Sequence, residues 1–131
     1  MYKIFDRTVL NELIKTHGTP CYIYDSQLLT DTLNAAKYYS TQYFGINAHL
    51  HYALKANDNS QLLTLIQHAG FGTDCVSGGE IEHAINNGFN ANHIVFAGVG
   101  KHDWEIKLAL DADIYAFNCE SIQEVGIINT L

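Results

Sequence analysis

Four runs of β-forming residues, beginning near His49, Phe71, His93 and Asp113, recur at steps of about 22, 22 and 20 residues, each followed by a helical pattern. Gln61 to His68 follows the first run. Ile81, Ala84 and Ile85, stopped by Asn86-Asn87-Gly88, follow the second. Trp104, Leu108 and Ala109 follow the third, and a helix opened by Ser121 the fourth. Strands alternating with helices imply a parallel sheet with right-handed crossovers, either open and doubly wound or closed as a barrel. The period does not choose between the two. Upstream, Val9 to Thr16 has helical spacing and ends at His17-Gly18-Thr19-Pro20. Cys21-Tyr22-Ile23-Tyr24 reads as a strand, and Asp25 or Ser26 can cap a helix through Leu28, Leu29, Thr32, Leu33 and Ala36.

With 131 residues and 47% hydrophobic content, one globular domain is expected. No run approaches the ~20 apolar residues of a membrane span, and the opening Met1 to Arg7 lacks an apolar export core, so a cytoplasmic address is expected. Fourteen acidic against seven basic residues, with Arg7 the sole arginine, argue against a nucleic-acid partner. Cys21, Cys75 and Cys119 are odd in number, widely spaced and set in apolar runs, which reads as reduced packing residues. His49 and His51 stand two apart with no acidic or cysteine partner at ligand spacing, so no metal is expected.

The chemistry gathers at Tyr52-Ala53-Leu54-Lys55-Ala56-Asn57, where a lysine ends the first strand-like run before the turn formers Asp58-Asn59-Ser60. Alternation places Lys55 on one face with Ala53, His51 and His49, opposite Leu50, Tyr52 and Leu54. A lysine at a strand end is by itself most often a solvated charge. This motif, however, is similar to the lysine motif of the pyridoxal-phosphate decarboxylases of the alanine-racemase-like barrel class, its diaminopimelate-decarboxylating branch above all. The resemblance implies that Lys55 holds pyridoxal 5'-phosphate as a Schiff base, a role needing an amine that can shed its proton; burial beside barrel walls would favour that. It also selects the barrel over the open sheet.

A second block, Gly72-Thr73-Asp74-Cys75-Val76-Ser77-Gly78-Gly79-Glu80, resembles the same family, and two such blocks in order are far more specific than one. Asp74 shares a face with Gly72 and Val76. If that face looks into the barrel, its carboxylate reaches toward the Lys55 amine or the cofactor. Ser77 to Glu80 also fits a helix-capping box, as does Ser121 to Glu124. Lys55, Asp74, Ser77, Lys101 and Asn118 all fall at strand C-terminal ends, where barrel enzymes collect their functional groups. Gly98-Val99-Gly100-Lys101 lacks the spacing of a nucleotide loop. Thr19 to Asp25, Phe96 to Lys101 and Phe117 to Ser121 extend the resemblance over nearly the whole chain.

The resemblance implies an N-terminal lead-in over 1–24 and, over 25–131, about four βα units of a (β/α)8 barrel that the full-length protein would complete, as a homodimer. It implies conversion of meso-diaminopimelate to L-lysine and carbon dioxide. A related substrate, such as ornithine, arginine or carboxynorspermidine, a racemase, or a cofactor carrier without turnover are the alternatives. The family's phosphate-gripping loop, pyridine-nitrogen partner and interface cysteine have no counterpart here, so this chain alone is expected to be inactive; the open edges and uncovered face of four strands lead to the expectation of poor solubility or oligomers.

Overall fold

The computed structural model describes residues 5–131; residues 1–4, part of the opening stretch read for an export signal, lie outside them. Strands β1 (His51–Ala53), β2 (Gly72–Cys75), β3 (Ile94–Phe96) and β4 (Ala116–Phe117) form one sheet in the order β1-β2-β3-β4, every neighbouring pair parallel. The crossovers contain α3 (Ser60–His68), α4 (Gly78–Asn86) and α5 (Asp103–Asp111), with α6 (Ile122–Ile128) after β4. Preceding them are α1 (Arg7–His17) and α2 (Ser26–Phe44).

Each crossover helix buries a pair at i, i+3: Leu63 and Ile66 in α3, Ile81 and Ala84 in α4, Ile106 and Ala109 in α5. Those stripes meet the outward side chains of the strands. Thr73, Cys75, Ile94 and Phe96 are all fully buried, joined by Leu54 and Phe89. At about 1.5–3 kcal/mol per large apolar side chain removed from water, this single layer is the main source of cohesion. The register Ala53, Asp74, Val95, Ala116 runs as one row across the other face. Thr73 and Cys75 point to the helices, so Asp74 points away from them.

Two expectations are corrected. Cys21 to Tyr24 forms no strand, and Tyr22 is 91% exposed. A strand exists only where a neighbour accepts its hydrogen bonds, and among the described residues β1 pairs only with β2. All four strands also start later than read, at His51, Gly72, Ile94 and Ala116; before β3, Ala91–His93 is taken up by a 3-10 turn. α2 in turn runs on past Ala36 to Phe44, with Asp25 accepting from the Gln27 and Leu28 amides at its start.

Parallel sheets are normally covered on both faces. This one has a single helical layer, two open edges at β1 and β4, and Tyr43, Phe44, Ile46 and Ile122 each at least 78% exposed. The 131-residue chain on its own is therefore expected to associate. Sedimentation velocity should show species heavier than 14.6 kDa that grow with concentration. A single 14.6 kDa species with a cooperative melt would count against that expectation. No helix among the described residues is long and apolar enough to cross a membrane.

Candidate functional site

Lys55 stands in a 3-10 turn, Leu54–Ala56, directly after β1. Leu54 falls on the apolar side that alternation expected and is buried at 1% exposure, while Lys55 is exposed to solvent. Three bonds hold the turn. The Asn57 amide donates to the Leu54 carbonyl at 3.2 Å, the Tyr52 hydroxyl donates to the Asn57 carbonyl at 3.2 Å, and Thr73 Oγ1 donates to the Tyr52 carbonyl at 2.9 Å. Burial pushes the Tyr52 phenol up, which keeps it a donor. A polar cleft of about 720 Å³ opens beside the amine, lined by Asn57 and Asp58 on one side and Ser77, Glu80 and His83 on the other. His83 Nε2 lies 2.8 Å from the Asp58 carbonyl and ties the two walls together. Among the described residues Lys101–Glu124 is the only ion pair, so the Lys55 ammonium is not in one.

Asp74 is not among the residues lining that cleft. It sits on the inner face of β2, in register with Ala53, two residues before Lys55. Its Oδ1 is buried without a hydrogen-bond partner, as is His51 Nδ1 on the same face. The two residues expected to share a pocket thus come from adjacent strands at one end of the sheet, with one on the rim turn and the other on the inner wall.

The rim is built from glutamates at the third position of successive helices. Ser77 Oγ accepts from the Glu80 amide at 3.2 Å while Glu80 accepts from the Val76 amide at 2.8 Å, and Ser121 and Glu124 repeat the arrangement with the Glu120 amide. The capping role of both motifs is therefore present. Glu105 does more: its carboxylate accepts from the His102 amide at 2.9 Å and, across to the preceding helix α4, from the Gly78 amide at 2.8 Å. Lys101, read as a possible functional group on the rim, has its side chain buried. It donates to the Asn118 carbonyl at 2.9 Å and to Glu124 at 2.7 Å, and its ammonium lies 5.3 Å from the centre of the Phe96 ring. A phosphate loop would need that lysine free.

Burial raises the Glu105 carboxyl, but the Gly78 and His102 amides and the nearby His102 and Lys101 outweigh it and hold the group below its ordinary value of 4.5. Lys101 holds Glu124 below 4.5 as well, with help from the Glu120 amide. A depressed carboxylate stabilises the fold above its unfolded pKa and loses that contribution as pH falls through the folded one. Stability is therefore expected to fall on acidification below about 4.5, and Glu105→Gln should flatten that limb in urea melts at pH 7, 4.5 and 3.5. At pH 7 Lys101→Met should cost about 1–2 kcal/mol, below the figure for a fully buried pair because Glu124 keeps some water contact.

Of the cysteines read as packing residues, only Cys75 is one; burial pushes its thiol up to about 12. Cys21 and Cys119 are exposed, because the runs that hold them are not covered strands. Among the described residues no group of three or more His, Cys, Asp or Glu is placed to hold a metal ion.

Four consecutive parallel βα units with an amine on the C-terminal rim define part of a βα-barrel of the enzyme type. The chain belongs to the pyridoxal-dependent decarboxylases: residues 30–131 match the family's pyridoxal binding domain. It is 52% identical over 117 residues to the diaminopimelate decarboxylase of Bacteroides thetaiotaomicron, covering 89% of this chain and 30% of that protein. The diaminopimelate decarboxylase of Helicobacter pylori, solved in complex with L-lysine, superposes with a TM-score of 0.80 at 42% identity, covering 92% of this chain and 30% of that one. The M. jannaschii enzyme, also solved with L-lysine, gives 0.80 at 34%, covering 91% and 28%. The chain thus spans less than a third of the length of these relatives, and its four βα units are the N-terminal part of the barrel.

Proposed function

We propose that this chain forms the cofactor-carrying N-terminal part of a diaminopimelate decarboxylase that converts meso-diaminopimelate to L-lysine and carbon dioxide in the cytoplasm as a homodimer. The observation that carries the reading is the exposed Lys55 amine on a rim turn held by three hydrogen bonds, in a chain 52% identical to such an enzyme. Its residues fit pyridoxal 5'-phosphate: a reachable primary amine, a polar cleft beside it and an orphaned buried carboxylate oxygen on the next strand.

When bound, that cofactor supplies an electron sink for the pair left behind as a carboxylate departs. Lys55 is the amine that would hold the cofactor. Leu54, Tyr52 and Asn57 fix where that amine stands. Asp74, on the inner wall outside that cleft, would face the cofactor from the next strand, and Glu80, Glu105 and Glu124 keep the rim helices in place.

Borohydride treatment of the full-length, cofactor-loaded protein should leave pyridoxyl on Lys55, and peptide mapping that found it elsewhere would refute the assignment. Release of carbon dioxide from meso-diaminopimelate, but not from ornithine or arginine, separates this reading from related decarboxylases. Loading without any release would mark a cofactor carrier.

A further inference from the structure

Two polar atoms on the inner face of the sheet, His51 Nδ1 and Asp74 Oδ1, are shut away from solvent, and neither has a partner among the described residues. Buried polar atoms are almost always satisfied, since leaving one unpaired costs about 1–3 kcal/mol. The two residues stand on adjacent strands. His51 is in register with Gly72 and Ala53 with Asp74, so His51 and Asp74 are diagonal neighbours on one face. Gly72 makes the room: His51 Nδ1 and Cε1 lie 3.2 Å from where a Gly72 Cβ would stand, so the ring occupies the space that a side chain would fill. The chemistries are complementary, a neutral imidazole offering one N–H and an ionised carboxylate only accepting.

We propose that His51 is a positioning residue for Asp74: in the complete barrel its Nδ1–H donates to Asp74 Oδ1, directly or through one buried water, leaving the other carboxylate oxygen for the cofactor pocket. The inference rests on the reading of Asp74 as a pocket residue. It fixes the tautomer of His51, whose Nε2 then carries the lone pair. Other titratable groups face the same ring. His49 precedes it on the chain, His93 closes the turn before β3, Tyr115 has its ring centre 5.9 Å away, and Lys37 of α2 shares a crevice of about 70 Å³ with it. Burial lowers the His51 imidazole, Asp74 opposes that, and His49 and His93 add to it.

The test uses the full-length protein with nitrogen-labelled histidine. In the cofactor-free protein, the His51 titration, identified by its loss in His51→Phe, should move down by about one unit in Asp74→Asn, since a negative neighbour has been removed. In the loaded protein, the pH midpoint of the cofactor absorption band should shift in His51→Phe in the same direction as in Asp74→Asn. His51→Asn, which keeps an N–H near the Nδ1 position, should restore it. A His51 titration that ignores Asp74→Asn overturns the pair. A band that moves in Asp74→Asn but not in His51→Phe overturns the positioning role alone. A band that ignores both overturns the pocket reading of Asp74, and the positioning role with it.

Discussion

Lys55→Arg in the full-length protein is expected to abolish carbon dioxide release from meso-diaminopimelate, by at least about a thousandfold, while leaving stability within about 0.5 kcal/mol. The two parts of that expectation come from different places in the structure. Stability is insensitive because the side chain is exposed and the turn is held by its neighbours: Leu54 in the core, the Tyr52 hydroxyl on the Asn57 carbonyl, and Thr73 on the Tyr52 carbonyl. Activity is sensitive because arginine keeps the charge but never sheds its proton, so it cannot offer a lone pair to an aldehyde. If Lys55 served only as a cation near a phosphate or a substrate carboxylate, arginine would preserve much of the rate. The measurement is carbon dioxide release alongside a melting curve, and more than about a tenth of wild-type activity in Lys55→Arg would end the covalent assignment.

The helices were legible in the sequence because their signals are local. Pairs such as Leu63 with Ile66 and Ile81 with Ala84 declare a buried stripe within one turn, and Asp25, Ser77 and Ser121 declare where helices start. The parallel order of the strands followed from the spacing between them, and alternation alone put Asp74 on the face away from Cys75. Features that depend on distant partners were not legible. Cys21 to Tyr24 has strand composition but no neighbour to pair with, and the bond from Gly78 to Glu105 joins residues 27 apart. The 3-10 turn that carries Lys55 depends on Leu54 packing among core residues of other elements. His51 was half legible: its face could be read from spacing, but not that its Nδ1 and Asp74 Oδ1 would both lack partners.

Gly72→Ala and Gly98→Ala are each expected to destabilise the full-length protein by at least about 3 kcal/mol, a large part of the roughly 5–15 kcal/mol that holds a typical domain together. The reason is space. A Cβ on Gly72 would overlap the His93 carbonyl oxygen and press on the His51 ring, and one on Gly98 would overlap the Val76 carbonyl oxygen with Phe96 Cε2 only 3.1 Å away. These obstacles are backbone, and the backbone cannot yield, because Thr73 with Ile94 and Cys75 with Phe96 fix β2 against β3 in the ladder between them. Gly79 provides the contrast on the same rim. The nearest atom to the place its methyl group would take is Ser77 Oγ at 3.9 Å, ordinary contact. Gly79→Ala should therefore change stability by less than about 1 kcal/mol, in the favourable direction for a helical site. Urea denaturation of the three variants separates steric overlap from a general intolerance of glycine replacement. Equal midpoints for Gly72→Ala and Gly79→Ala would mean that β2 and β3 can move apart to admit the methyl group, and the steric account of Gly72 and Gly98 would then have to be abandoned.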